Sequence, residues 1–537
     1  DQTWGWDVGW DLWAMNNYNT ITSISESPLK EGLICVGTDD GRIQLTKDGG
    51  ENWQLIEVNR LPNCPTTAFV NDIKFDLHQE NALYVALDNH KYGDFKPYLY
   101  KSQDLGKSWK PIVNGLDSIN LVWRVVQDHL KPELLFAGTE FGLYFSINGG
   151  QEWVKFNGGL PTISFRDLAI QKRENDLVAA SFGRGFFVLD DYSFMRNLSE
   201  EMLEKQAYLF DSREGLWYFQ NQPIGGSKKG SQGASFYVAD NPEFGVTFTY
   251  LLKEESLTKK ASRQKEEKEL KKNKQDLVFP EWNEIEEELR EIETRFWMQI
   301  LDADGVILRK LAAKNKKGIH RISWNYTKES IKPIDVLDKR TENSTGQMVA
   351  PGEYFAVLVK EEQGEYITMT DTIQFNVTKL FEGSLASASI EEMASFWKEL
   401  DEVSAEHQSI QIKMKKALEK SKKLQMAYKK SNQTSDSLSK DIYNLIKELH
   451  ALDNKLNNPK VIRELEIDYR PTISKRIGTA YACVSNSSYG PTTLARENLE
   501  IAKEEMEDLM ISLERSQQKS DAIEMQLKEL GAPEIID

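Results

Sequence analysis

Through the first two hundred positions, β-branched and aromatic runs of four to eight residues alternate with clusters of Gly, Pro, Asn and Asp. This is the pattern of short strands joined by tight turns. The runs fall into groups: residues 21–25, 33–37, 42–46 and 53–57; then 69–75, 82–87, 98–102 and 109–113; then 121–127, 134–138, 143–146 and 153–156. A fourth group has only three runs, at 165–170, 177–181 and 186–189. From Ala207 strand-like runs continue without that grouping, at 245–250, 295–300, 306–311, 321–325, 352–360 and 368–377. Phe296, Met298 and Ile300 alternate with Trp297 and Leu301, as half-buried strands do. After Phe381 the period lengthens. Ile390, Met393, Ala394, Trp397, Leu400 and Val403 predict a first helix, Ile442, Leu445, Ile446, Leu449 and Leu452 a second, and Leu499, Ala502, Met506, Leu509, Met510 and Leu513 a third.

Three segments of the opening region superpose residue by residue. Thr46, Asp48, Gly50 and Trp53 match Ser102, Asp104, Gly106 and Trp109, and then Ser146, Asn148, Gly150 and Trp153. Each reads Ser/Thr-x-Asp/Asn-x-Gly-x-x-Trp. Hydroxyl and Asx side chains satisfy turn amides, glycine takes positive φ, and the Trp is expected to bury its ring beside the turn. Four-stranded units in tandem predict propeller blades, here about three and three-quarter blades. An open arc leaves blade faces and sheet edges unpaired. The missing blades are therefore expected upstream of Asp1 or on another chain, with Trp4, Trp6, Trp10 and Trp13 packing against them.

These residues resemble the Asp-box (BNR) repeat of sialidases, of the sortilin-type propeller and of a bacterial group labelled glycosyl hydrolase. The bacterial group is the nearest in detail. Its look is carried by Ser27-Pro28, by residues 36–41, 96–100 and 137–142, and by Ser181 to Gly185 leading into Val188 to Asp191. It continues in residues 301–305, 318–324 and 350–354. The resemblance implies a propeller ahead of a sandwich, and export, hence an extracytoplasmic location (periplasm, cell surface or secreted). A sialidase of this fold uses an arginine cluster, a tyrosine nucleophile with a glutamate partner, and an acid/base aspartate. That set cannot be placed here, so no catalytic residue is assigned.

The fold class expected is therefore mainly β with an α tail. A partial Asp-box β-propeller over 1–200 precedes an immunoglobulin or fibronectin type III-like β-sandwich over 207–380, and a helical bundle follows over 385–537. Within the sandwich, 253–290 is rich in Lys and Glu and reads as a solvated helical insertion that offers a docking arm. The polar stretch 468–488 reads as a connector.

Composition narrows the partners. A formal net charge of -17 lacks the clustered basic excess that nucleic-acid binding needs. Cys35, Cys64 and Cys483 form no CxxC pair and no His cluster accompanies them, so neither metal nor cofactor is expected. No apolar run is long enough for a membrane-spanning helix. The chain starts at Asp1 without a signal-like segment, and the incomplete ring favours a fragment over a processed terminus.

Candidate chemistry gathers on one rim. In a blade, the turn between strands two and three lies opposite the turn between strands three and four, and the Asp boxes, with Asp48, Trp53, Asp104, Trp109, Asn148 and Trp153, are of the latter kind. The other rim collects Asp39 and Asp40, a longer loop with His90 and Asp94, then Glu140 and Arg184. These six are the ligand-binding candidates, with ordinary turn chemistry as the competing account of Asp39 and Asp40 and an ion pair to a neighbouring blade as that of Arg184. The leading functional expectation is an exported, non-catalytic scaffold that binds protein partners in a cell-envelope complex. The alternatives are a sialidase-like glycoside hydrolase or glycan-binding propeller, and a sortilin-like peptide receptor.

Overall fold

The computed structural model describes residues 20–220, 239–334, 344–465, 470–485 and 487–536. The chain divides into two compact units, meeting in sequence between Lys205 and Gln206. Trp4, Trp6, Trp10 and Trp13 lie outside the described residues.

The first unit is a series of antiparallel meanders in chain order. β1 (Ile21–Glu26), β2 (Ile34–Thr38), β3 (Arg42–Thr46) and β4 (Gln54–Glu57) form one sheet. The next two are β5 (Phe69–Phe75), β6 (Leu83–Asn89), β7 (Asp94–Ser102) and β8 (Lys110–Pro111), then β9 (Val122–Gln127), β10 (Leu135–Thr139), β11 (Gly142–Ser146) and β12 (Val154–Lys155). β13 (Phe165–Gln171), β14 (Asp176–Ser181) and β15 (Phe186–Leu189) make a three-stranded fourth. Every residue of β6 is buried, so the inside-outside alternation of a one-faced sheet vanishes there. A sheet sandwiched between two neighbours has no solvent face.

First strands lie beside first strands. The Ser23 hydroxyl accepts the Ile73 amide at 3.0 Å and the Ser25 hydroxyl accepts the Phe75 amide at 3.2 Å, joining β1 to β5. Asp72 on β5 accepts the Val125 amide of β9 at 3.2 Å and pairs with Arg124 at 2.9 Å; Arg124 reaches on to Asp167 of β13 at 2.8 Å. Asp72 is fully buried, and burial pushes its carboxyl up against the opposing pull of Lys74 and Arg124. Successive meanders joined through their first strands are β-propeller blades.

In the second unit, β16 (Ala207–Leu209) is followed by β17 (Gly215–Trp217) and β18 (Val246–Leu252), and then by helices α1 (Lys259–Lys272) and α2 (Trp282–Arg290). β19 (Arg295–Leu301), β20 (Ile307–Ala313), β21 (Gly318–Trp324), β22 (Thr327–Glu329) and β23 (Thr345–Met348) come next, then β24 (Gly352–Glu362), β25 (Glu365–Thr368) and β26 (Ile373–Lys379). β16, β18 and β21 make a small sheet; β17, β26, β24, β19 and β20 make a larger one, with β25 on β24. Phe248 of the small sheet meets Phe375 of the larger at 5.1 Å between ring centroids, and Trp324 meets Tyr354 at 5.6 Å. The run at 368–377, expected as one strand, is two: β25 ends at Thr368 and β26 begins at Ile373.

The tail holds α3 (Ile390–Lys429), α4 (Asp436–Leu456), α5 (Ile473–Ala482) and α6 (Thr493–Glu529). Each starts at a Ser or Thr whose side chain accepts an amide of the first turn: Ser389, Ser435, Thr472 and Thr492. The described part of 468–488, expected as a connector, carries α5 instead, with Ile473, Ile477 and Ala480 buried. Three apolar residues in ten were too sparse to stand out in sequence; they are covered because α6 runs beside them. Sheets and tail share one core, for Trp397 of α3 lies 6.1 Å from Trp217 of β17.

Candidate functional site

The three repeated hairpins close with the same hydrogen bonds. Thr46, Ser102 and Ser146 donate to Asp48, Asp104 and Asn148 at 2.7, 2.9 and 2.8 Å, and accept the amides of Gly50, Gly106 and Gly150 at 3.0, 2.8 and 2.9 Å. The Asx oxygens then accept the amides of Asn52, Ser108 and Glu152, each at 2.9 Å. These bonds hold the Asp48 carboxyl well below its usual range, at about 2, and lower that of Asp104 too, with the side chain of Asn52 or Ser108 as the largest cause. Every side-chain oxygen of the motif is engaged in its own turn, which makes this rim a structural one.

The tryptophans of these hairpins differ. Trp109 and Trp153 are buried, but Trp53 is 43% exposed, against the expectation for the repeat. Each buried ring is covered by the preceding blade: Trp153 donates its indole N–H to the Ile112 carbonyl at 2.8 Å, and Trp109 packs in one cluster with Ile56. Trp53 belongs to the first described blade.

On the opposite rim the six candidates separate. Asp39 and Asp40 are buried turn residues: Asp39 accepts the Thr20 amide at 2.9 Å, while Asp40 accepts the Thr38 hydroxyl at 2.5 Å and pairs with Arg42 at 3.3 Å. The segment expected as a long loop at 88–94 is a strand extension instead, with β6 running to Asn89, one helical turn at His90–Tyr92 and β7 starting at Asp94. Gly93, at φ 75°, lets the chain reverse there. Asp94 accepts the Tyr98 hydroxyl at 2.6 Å and the Lys96 amide at 3.2 Å. Arg184 is exposed between Gly183 and Gly185, and it is Arg166 that pairs with Glu140.

His90 and Glu140 do come together, through two residues that sequence reasoning missed. The His90 ring pairs with Asp88 and stands edge-on to Trp123 at 6.1 Å. Trp123 donates its indole N–H to Glu140 at 2.8 Å. The Arg166 guanidinium lies 3.6 Å from the centre of the Trp123 ring, pairs with Glu140 at 3.3 Å, and sits 5.4 Å from the Phe182 ring. This cluster draws on blades two, three and four. Trp123 and Arg166 are the second residues of β9 and β13, so aligning blade with blade would have exposed them; read singly, each is just a strand residue. Around the cluster Tyr92, Phe95, Phe141 and Phe182 are exposed, all within or beside second-to-third-strand hairpins.

Chemically, the cluster offers aromatic faces and a guanidinium. Its carboxylates are already committed: Asp88 to His90, and Glu140 to both Trp123 and Arg166. Among the described residues no group of three His, Cys, Asp or Glu is placed to hold a metal ion, and no helix is long and apolar enough to cross a membrane.

No family model and no curated protein sequence matches the chain. Solved structures similar to it include the GH74 xyloglucanase from Xanthomonas campestris, at 12% identity over 30% of this chain and 26% of that one, with a TM-score of 0.24. YCF48 from Cyanidioschyzon merolae is similar at 19% identity over 32% of this chain and 53% of that one, TM-score 0.26. The β-propeller domain of Cps50 (Swd1) from Myceliophteria thermophila is similar at 13% over 35% and 57%, TM-score 0.27. The chain thus spans less than two thirds of each. The blades themselves, through their strand order and first-strand contacts, carry the propeller assignment.

Proposed function

We propose that the chain belongs to an Asp-box propeller protein working outside the cytoplasm as a protein-binding scaffold, with the rim around Trp123 and Arg166 as its contact surface. One observation carries the reading. On that rim the carboxylates of the cluster are bonded within the protein, while Phe182 stands exposed beside Arg166 and Tyr92, Phe95 and Phe141 stand exposed on the hairpins of the neighbouring blades. Aromatic and arginine side chains are enriched at protein interfaces, the aromatics because they bury much area at little entropic cost and arginine because it adds a fork of hydrogen-bond donors. The two sheets of the second unit serve, in this reading, as a fibronectin type III-like sandwich, and further blades complete the ring.

The test is site-specific photo-crosslinking on the native protein. A cross-linker at Phe141 or Phe182 is expected to trap the same identified protein, and one at Asn52 or Ser108 on the structural rim to trap none. Phe182→Ala with Phe141→Ala is expected to weaken the purified pair at least tenfold. Turnover or saturable binding of a glycan, abolished by those same substitutions and without a protein partner, overturns the proposal in favour of a glycan-directed propeller.

A further inference from the structure

The insertion between β18 and β19 presents a second surface. α1 and α2 are held together by charge: Lys259 meets Glu287 at 2.5 Å, Arg263 meets Glu288 at 2.6 and 2.8 Å, and the Lys259 amide donates to Glu291 at 2.7 Å. α1 buries no residue. On α2, Trp282, Ile285 and Leu289 fall within about 60° of one another at 100° per residue, a single apolar stripe. Glu287 and Glu288 leave the helix on other sides, toward α1. The two ends of the stripe are left outward, Trp282 being 79% exposed and Leu289 78%, with Ile285 between them half-buried. Val278 and Phe279 before the helix and Ile292 after it are as open to solvent.

So many large apolar side chains on one short arm carry a hydration cost that a solvated spacer has no reason to bear. The helix is also fixed by bonds of its own. Glu281 and Glu284 form a reciprocal capping box at its start, and Arg290 pairs with Glu286 at 3.2 Å on its surface.

We propose that α2 is a docking helix, its Trp282, Ile285 and Leu289 stripe seating in an apolar groove of a partner protein whose rim is lined with Lys and Arg. Charge selects this occupant. From Glu281 to Glu293 the α2 side of the arm carries seven glutamates against Arg290; Glu287, Glu288 and Glu291 bond to the basic α1, and Glu281, Glu284, Glu286 and Glu293 leave this side acidic, so a basic rim is attracted. An anionic lipid surface is repelled by these carboxylates. Spacings of three and seven residues are those by which an amphipathic helix is read in a groove. The inference shares the protein-binding reading of the rim but rests on a different unit, so the two fail separately.

The experiment places a photo-crosslinking phenylalanine at Trp282 of the full chain, with Lys268 on α1 as the control site. The captured protein is identified, the cross-linked residues are mapped, and the purified partner is titrated against the chain. The expected result is a map onto an apolar groove bordered by Lys and Arg. Trp282→Ala combined with Leu289→Ala is expected to weaken binding at least tenfold at unchanged Tm, because both side chains are exposed in the free protein, and added salt to weaken it further. Four results overturn the proposal: equal capture from Lys268, cross-links only to a second copy, binding indifferent to the double substitution, or flotation on phosphatidylglycerol vesicles that the substitution abolishes. If the arm captures its partner while a cross-linker at Phe182 captures none, the rim reading falls and this one stands.

Discussion

Trp153 of the third blade donates its indole N–H to the carbonyl of Ile112 in the second, at 2.8 Å, and its ring is only 2% exposed. Repeating the same residue at the same place in each blade turns a local turn motif into a joint between blades. Gly150 and Gly106 approach Ile112 and Ile56 so closely that a Cβ would collide with them at 2.8 and 2.4 Å, whereas the nearest neighbour of Gly50 is its own Trp53.

Truncating these tryptophans should separate joint from surface. Trp153→Ala removes a large buried ring and orphans a carbonyl, and is expected to cost about 3–5 kcal/mol. Trp53→Ala, at a half-open site, is expected to cost about 1 kcal/mol or less. Urea unfolding of the full chain, with hydrogen exchange in β9 to β12 reporting on the first unit, measures both.

The hairpin aspartates carry a sign that can be checked. Asp48 is held down at about 2 in the folded chain, below the usual carboxylate range. Its stabilising contribution is complete above the unfolded pKa and is lost as pH falls through about 2. Asp48→Asn keeps the oxygen that accepts the Asn52 amide, as Asn148 does naturally in the third hairpin. The variant gives up the second oxygen, which accepts the Asn52 side chain, so it should lower Tm at pH 7 slightly and flatten its acid limb, while Asp48→Ala should lower Tm at pH 7 further.

His407 on α3 reports on the bundle. Its Nε2 lies 2.7 Å from the Ser474 hydroxyl on α5, and burial, aided by Lys332, pushes its pKa down to about 4. The folded state therefore resists the proton that the unfolded chain takes up. Stability from this site is full above about 6.5, the ordinary His value, declines as pH falls below it, and is lost through about 4. Thermal unfolding between pH 7 and pH 4 should show this slope, reduced in His407→Gln.

Arg166 over Trp123 is a half-exposed cation on an aromatic face, worth about 0.5–1 kcal/mol. A double-mutant cycle of Arg166→Ala with Trp123→Leu should return a coupling of about that size. Coupling indistinguishable from zero would mean that the two do not act as a unit.

The repeat was readable because a tight hairpin makes its demands locally. Hydroxyl, Asx and glycine sit within five residues, and the strands of each blade follow at near-constant spacing, so blade edges fell within a few residues of β1 to β15. The long helices were readable for the same reason, through their period. What escaped was whatever depends on a distant neighbour. α5 has too few apolar residues to declare itself and is covered by α6. Asp39 and Asp40 look like ligand groups until Thr20 and Arg42 are seen to occupy them.

Chain chemistry alone settled where the repeated hairpins turn, where the blade strands and the three long helices run, and how often the unit recurs, since each follows from bonds made within a few residues. Only the folded arrangement decided that Trp123 and Arg166, forty-three positions apart, stack on one rim while Arg184 does not join them. It also decided that Trp53 is open where Trp153 is sealed. Proximity between blades is a property of packing, and no single blade encodes what its neighbour will place against it.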